Sequence, residues 1–144
     1  MYIRNTVAGA HIEVSKTVEV TVRMPPGEYY VSDPCYCFND DTWPKIGELT
    51  NWWEDEEKPV FEYKGKACLA FSTAHGDGCF TDNQGREYGV DAGMIGLIPV
   101  EVADKEPGNG LGHKMTFTKS FRCTRFPEGK LRFGDIVIDT GDED

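Results

Sequence analysis

Three observations predict a mainly β protein, an antiparallel β-sandwich or small barrel with one short α-helix near residues 42–53. Apolar and polar residues alternate over several short segments, as in strands with one buried and one solvent-facing side. Turn signals rich in glycine and proline recur about every 8–12 residues, a spacing typical of these folds. Phe, Tyr, Val and Thr are abundant and fit a pleated, half-buried surface. One domain is expected over residues 1–144, with a frayed acidic tail at 139–144.

The alternation is clearest from Ile12 to Met24, where apolar residues fall on even positions and only Lys16 breaks the pattern. This predicts one long strand, which Pro25-Pro26-Gly27 ends because neither proline can donate to a ladder. Similar reasoning predicts strands at 28–32, 60–63, 66–72, 79–82, 86–90, 94–102, 115–123 and 131–138. Residues 94–102 are almost wholly apolar, which indicates burial on both faces, and Pro99 within them predicts a bulge or an edge.

The pattern changes between Asp40 and Trp53. Thr42 can cap a helix and Pro44 fits its first turn. Apolar residues follow at spacings of three or four: Trp43, Ile46, Leu49, Trp52 and Trp53. An acidic run comes next, at Glu54, Asp55, Glu56 and Glu57, and is expected to be a solvated loop. Tryptophans beside such a run are candidates for a protein interface if they are exposed.

Charge restricts the partners. Twenty-five acidic residues against 15 basic ones give a net charge of −10, so direct binding of nucleic acid is not expected. The basic residues of the last third are expected on the solvent face of two strands: Lys114, Lys119, Arg122, Arg125, Lys130 and Arg132. Strong acidity instead permits docking onto a protein with a basic surface. The sequence shows no signal peptide and no apolar run of membrane-spanning length, so a cytosolic protein without membrane contact is expected.

The segment from Thr73 to Gly93 sets four acidic residues between glycines. EF-hand spacing fails from either Asp77 or Asp82, and Asp82 is expected to cap the turn of a hairpin around Asn83-Gln84-Gly85. Asp77 and Asp91 have no such role in the hairpin, so a functional site, with or without a divalent metal, is an open alternative to a purely structural segment.

A second candidate segment runs from Gly27 to Tyr36. Asp33 precedes a proline and is therefore held extended, with Tyr29, Tyr30 and Tyr36 around it. Aromatic rings beside a carboxylate suit a small cationic or hydrogen-bonding ligand. The alternative is a strand that ends in an Asx-Pro turn.

Cysteines and histidines give weaker signals. Cys35-x-Cys37 has too short a spacing for a structural zinc pair, and Cys79, His75 and His113 supply no matching second pair. Most of the five cysteines are expected to be small core residues, and no cofactor is expected. His75 near Asp77 could act as a general base or be merely solvated.

Three phrases carry a resemblance: D-P-C-Y at 33–36, D-G-C-F at 77–80 and V-D-A-G at 90–93. They resemble phrases in a group of small uncharacterised proteins of bacteriophages and bacteria, over about residues 27–138. The resemblance implies a phage or prophage setting and no particular mechanism. Small acidic phage proteins often act by binding host proteins.

Two functions from different classes follow. The first is a non-enzymatic acidic protein that docks on a host protein and modulates or inhibits it through Tyr36, Trp43, Trp52, Trp53 and residues 54–57. The second is a pocket for a small ligand or for metal-assisted hydrolysis, built from Asp33, Asp77 and Asp91 with His75. A third, binding of a signalling nucleotide, would need arginines in a concave site, and only Arg86 lies near the phrases.

Overall fold

The computed structural model describes residues 3–14, 19–50 and 59–141. It is mainly β, with antiparallel sheets and one short α-helix, which confirms the predicted fold class. The described strands are β1 (Ile3–Val7), β2 (Ala10–Val14), β3 (Val20–Met24), β4 (Gly27–Ser32), β5 (Val60–Tyr63), β6 (Lys66–Ser72), β7 (Gly78–Thr81), β8 (Glu87–Val90), β9 (Met94–Pro99), β10 (Gly112–Phe117), β11 (Phe121–Arg125), β12 (Lys130–Phe133) and β13 (Ile136–Asp139). A 3₁₀ turn covers Pro34–Tyr36, and helix α1 covers Trp43–Thr50.

Two sheets face each other across the main core. One has six strands in the order β1-β2-β3-β11-β12-β13, the other five in the order β10-β4-β9-β6-β5, and β7 and β8 form a separate hairpin. Phe71 of the five-stranded sheet stacks on Phe133 of the six-stranded sheet, with ring centroids 5.9 Å apart. Both side chains are fully buried, so the space between the sheets is a close-packed apolar layer.

The five-stranded sheet is covered on its other face as well. Helix α1 lies there, with Ile46 buried and Trp43 and Leu49 half-buried against a second apolar cluster. Phe38 and Tyr63 meet edge to face in the same cluster, at 5.6 Å. Double coverage explains why every residue of β9 is buried, as its apolar sequence predicts. The described part of the helix reaches Thr50, and residues 51–58 lie outside the described part of the chain.

The short hairpins form as predicted. Strands β5 and β6 are joined across Lys64-Gly65, and both turn residues have positive φ, at 52° and 79°. Strands β7 and β8 flank Asn83-Gln84-Gly85, with Gly85 at φ 84°. Glycine is favoured there because a Cβ is strained in that region of the backbone map.

The prediction of one long strand from Ile12 to Met24 is wrong. The chain reverses instead, and β2 pairs antiparallel with β3, with Val14 opposite Val20 and Ile12 opposite Val22. Even positions pair with even positions in this register, so the apolar residues stay on one face of the sheet after the reversal. The alternation therefore cannot distinguish a hairpin from a single strand.

The predicted strands at 115–123 and 131–138 are also wrong, because each segment is divided between two strands. Strand β10 ends at Phe117 in the five-stranded sheet, whereas β11 starts at Phe121 in the six-stranded sheet. The two rings stack at 3.7 Å where the chain crosses between sheets. Strands β12 and β13 form a hairpin that turns at Gly134, with φ 61°.

Pro99 marks neither a bulge nor a sheet edge. It is the last residue of β9, which lies between β4 and β6 in the middle of the five-stranded sheet. The strand ends there rather than at Val102, because the chain turns: the backbone N–H groups of Val102 and Ala103 both donate to the carbonyl of Pro99.

Candidate functional site

The D-P-C-Y and V-D-A-G phrases meet at the carboxylate of Asp33. This residue follows β4 directly and is completely buried. Its Oδ1 accepts a hydrogen bond from the backbone N–H of Cys35 at 3.1 Å. Its Oδ2 accepts from the backbone N–H groups of Asp91 at 3.0 Å and Ala92 at 2.7 Å. We call Asp33, Cys35, Tyr36, Asp91 and Ala92 the Asp33 junction.

Strand pairing brings the two phrases together. Strands β4 and β9 are antiparallel with Ser32 opposite Gly96, so the end of β4 lies beside the segment that leads into β9. Asp33 is extended, as expected before a proline, and its side chain caps the 3₁₀ turn that begins at Pro34. The carboxylate thus joins the turn after one strand to the loop before its neighbour.

Burial raises the pKa of Asp33 above its ordinary value, although the backbone N–H donors of Cys35, Ala92 and Asp91 act in the opposite direction. Burial also raises the pKa of the Cys35 thiol, and the nearby Asp33 carboxylate raises it further. Because the thiolate is the nucleophilic and metal-binding form, this environment disfavours both uses of Cys35.

Three of the other four cysteines are buried. All five are free thiols, and Cys37, Cys68 and Cys123 are buried, as the sequence predicts for most of them. Burial raises the pKa of Cys37 and of Cys68 to about 12. These thiols therefore remain protonated and apolar at neutral pH.

The third phrase lies close to the junction. The backbone N–H of Thr73 donates to the carbonyl of Gly93 at 2.9 Å, and the Thr73 hydroxyl donates to the carbonyl of Gly76. The loop that carries His75 and Asp77 is thereby fixed beside the V-D-A-G phrase. The side chains of His75, Asp77 and Asp91 are exposed, unlike that of Asp33.

Asp82 is a second buried carboxylate and has the turn-capping role that the sequence predicts. Its Oδ1 accepts from the backbone N–H groups of Gln84 at 2.8 Å and Arg86 at 3.0 Å. Its Oδ2 accepts from Arg86 Nε and from the Tyr88 hydroxyl, each at 2.7 Å. Burial pushes the pKa of Asp82 upward, but these donors outweigh it and the net shift is downward.

The partners of both carboxylates were missed by reasoning from the sequence. Arg86 and Tyr88 could have been found, because both lie on the far side of the predicted hairpin within reach of its first turn residue. Ala92 offered no signal, since only its backbone N–H takes part.

These geometries limit the chemistry of a pocket. Asp33 is completely buried, so a ligand or metal could reach its carboxylate only after neighbouring groups had moved. Within residues 3–14, 19–50 and 59–141, no group of three or more His, Cys, Asp or Glu side chains is arranged to hold a metal ion. The pocket of Asp33, His75, Asp77 and Asp91 stays a prediction.

Two of the predicted docking residues are described. Trp43 packs half-buried on the second apolar cluster, and Tyr36 is half-buried in the Asp33 junction. Trp52, Trp53 and the run Glu54–Glu57 lie outside the described residues. Four exposed carboxylates lie on α1, directly before it, or on the loop that is hydrogen-bonded to Asn39: Asp40, Asp41, Glu48 and Asp104. We call these four the α1 acidic surface.

The loop of the α1 acidic surface is held to the segment before the helix. Asp104 Oδ2 accepts from the backbone N–H of Asn39 at 2.9 Å, and the backbone N–H of Asp104 donates to the carbonyl of Cys37. The hydrogen bond from Asn39 lowers the pKa of Asp104. Asp104 therefore stays negative well below neutral pH.

The basic residues of the last third do not share one face, which corrects that prediction. Lys114 is in β10 of the five-stranded sheet, and Arg125 is half-buried with its Nε donating to the carbonyl of Ser72 at 2.8 Å. Arg122 and Arg132 are exposed on β11 and β12 of the six-stranded sheet. Arg23 of β3, which the sequence did not single out, lies directly opposite Arg122.

Among the described residues, no helix is both long enough and apolar enough to cross a membrane. Comparisons of the chain with protein-family models, with curated proteins and with solved structures gave no match.

Proposed function

We propose that this chain is a phage-related, non-enzymatic acidic protein that docks in the host cytosol on a host protein with a basic surface and modulates or inhibits it. The observation that carries the proposal is the hydrogen bonding of the buried Asp33 carboxylate. A buried carboxylate whose two oxygens accept three backbone hydrogen bonds serves to hold the D-P-C-Y and V-D-A-G phrases together. The phrases thus act as a scaffold that leaves the charged surface to make the contacts.

The charge distribution supports a basic partner. The chain carries a net charge of −10, and the α1 acidic surface places four exposed carboxylates on α1 and the segments next to it. The nearby cations Lys45 and Lys64 lie over the ring of Tyr63, at 5.7 and 5.4 Å from its centroid. The sequence after α1 adds two tryptophans and four more acids. Aromatic anchors with a charged rim are typical of protein interfaces.

Charge reversal tests the docking surface. Lysine replaces all four acids of the run Glu54–Glu57, and the variant and the wild-type protein are used to purify partners from a host lysate. We expect a host protein with a basic surface to be enriched by the wild type and lost from the variant. With the purified partner, affinity should fall at least tenfold for the variant, and wild-type association should slow as salt is raised.

A matched control reverses four other exposed acids: Glu28, Glu87, Glu128 and Asp135. It changes the net charge by the same amount but leaves residues 40–57 intact, so it should bind nearly as well as the wild type. Equal binding by both variants would remove residues 54–57 from the interface. Equal losses would show that total charge, and no particular surface, governs association.

A further inference from the structure

The six-stranded sheet carries a recess on the face turned away from the main core. It has a volume of about 380 Å³, which falls in the range of small-molecule sites. Strands β3, β11 and β12 supply its lining: Thr21, Arg122, Thr124 and Arg132, with Phe126, Glu19 and Asp135 around them. The recess is separate from the Asp33 junction, because Asp33 follows β4 of the other sheet.

Arginines lie close together on this face of the sheet, and repulsion between their like charges destabilises the sheet. Arg122 lies directly opposite Arg23, at a Cβ separation of about 5 Å for such pairs, and like charges in this position are destabilising. Arg132 pairs with Thr124, so it is a diagonal neighbour of Arg122 on the same face. Three cations thus lie on three adjacent strands of a chain with 25 acids and 15 bases, and the carboxylates of Glu19 and Asp135 line the same recess.

The donors that an anion needs are already oriented. Arg132 Nε donates to the carbonyl of Gly134 at 2.8 Å, which fixes the guanidinium and leaves four of its five N–H groups for other acceptors. The hydroxyls of Thr21 and Thr124 are 3.2 Å apart. In that pair one hydroxyl donates and the other keeps its hydrogen for a third group. Guanidinium and hydroxyl donors in this arrangement suit a phosphate group.

The remaining lining argues against a bare phosphate as the whole ligand. Glu19 and Asp135 would repel further phosphates, but carboxylates accept hydrogen bonds from sugar hydroxyls. Phe126 is half-buried and offers a ring on which a planar group can stack. Most of the acids elsewhere on the surface are screened, because the Debye length is about 8 Å at physiological ionic strength.

We propose that this recess binds a phosphorylated small molecule of the nucleoside monophosphate type, with the phosphate held by Arg122 and Arg132 and the ring against Phe126. The inference does not depend on the docking proposal, since it concerns the opposite sheet.

Calorimetric titration of the full chain tests this site with three probes: adenosine 5′-monophosphate, adenosine and inorganic phosphate. The monophosphate should bind the wild type with Kd below about 1 mM and more tightly than either of the other two. The double variant Arg122→Gln with Arg132→Gln should bind it at least tenfold more weakly. The double variant Lys105→Gln with Lys114→Gln loses the same charge from other exposed sites and should bind it normally.

Thermal melting separates a binding role from a structural one. Without ligand, the double arginine-to-glutamine variant should melt no lower than the wild type, because like charges have been removed. The monophosphate should raise the melting temperature of the wild type only. Replacing both arginines by lysine keeps the positive charge but removes the planar guanidinium groups, which can each donate two hydrogen bonds to one phosphate. The lysine variant should therefore bind the monophosphate with intermediate affinity.

Three results would overturn the proposal. One is binding of the monophosphate by the glutamine variant at wild-type affinity. Another is a wild-type Kd weaker than about 1 mM. The last is equal affinity for inorganic phosphate and the monophosphate, which would mean that no organic part is recognised.

Discussion

Asp33 and Asp82 are both buried carboxylates with every oxygen hydrogen-bonded, yet their pKa values shift in opposite directions. Asp33 receives backbone N–H donors and a hydrogen bond from the Cys35 side chain, and burial dominates, so its pKa rises. Asp82 is less deeply buried and also meets the Arg86 guanidinium and the Tyr88 hydroxyl, so its pKa falls. The comparison teaches that the depth of burial and a nearby cation, more than the number of hydrogen bonds, determine whether the acid stays ionised.

The two acids also differ in the range of structure that they hold together. The carboxylate of Asp82 accepts hydrogen bonds from residues two to six positions away within its own hairpin, while the backbone of Asp82 bridges to Ile138. Asp33 joins segments 58 and 59 residues apart. Loss of Asp33 should therefore disturb tertiary structure, and loss of a partner of Asp82 should have a local effect.

The largest effect is expected for Asp33→Ala. Three partly buried N–H groups lose the carboxylate that accepts from them. Each unsatisfied donor costs about 1–3 kcal/mol, so the free energy of unfolding should fall by about 2–4 kcal/mol after relaxation. Urea denaturation measures this. Asp91→Ala is the control, since only its backbone N–H binds Asp33 and its exposed side chain should matter by less than about 0.5 kcal/mol. If Asp33→Ala and Asp91→Ala lost similar free energies of unfolding, the Asp33 carboxylate would not be the group that holds these segments together.

A smaller effect is expected for Tyr88→Phe. It removes one buried donor to Asp82 but leaves Arg86 and two backbone N–H groups in place. The free energy of unfolding should fall by about 1.5 kcal/mol, the value for a hydrogen bond to a charged group. Repeating the substitution in an Asp82→Asn background should reduce that loss, and a coupling energy near zero would show that the two side chains do not act together.

The most subtle difference concerns pH. Between the ordinary pKa of an aspartate and the raised pKa of Asp33, the folded state binds more protons than the unfolded state. The contribution of Asp33 to stability therefore grows as pH falls through this window. Between the lowered pKa of Asp82 and the ordinary value, the unfolded state binds more protons, so the contribution of Asp82 is lost as pH falls.

The opposite pH dependences can be tested by comparing the stability of the wild type with that of each asparagine variant at several pH values. Unfolding free energies of the wild type, Asp33→Asn and Asp82→Asn are measured from pH 7 to pH 3. The advantage of the wild type over Asp33→Asn should increase toward acid, and its advantage over Asp82→Asn should decrease. Two curves of the same sign would refute the assignment of the two shifts.

Some of the turns could be predicted from local sequence, and others could not. Lys64-Gly65 and Asn83-Gln84-Gly85 contain glycines at positive φ, so these turns could be predicted from residue types. The reversals inside 12–24 and 115–123 could not, because the apolar residues keep the same alternation on both sides of them. In 131–138 the buried residues instead change from odd to even positions at Gly134-Asp135. Within residues 12–24, the antiparallel register places residues at even positions opposite residues at even positions.

The sequence by itself determined the fold class, the helix at Trp43, the buried character of β9 and the capping role of Asp82. Each of these depends on side-chain periodicity or on contacts within a few residues. Only the tertiary structure decided that Asp33 meets Ala92 and that Arg23 faces Arg122. Those contacts depend on which strands become neighbours, and strand partners are selected by packing of the whole core, which no local pattern encodes.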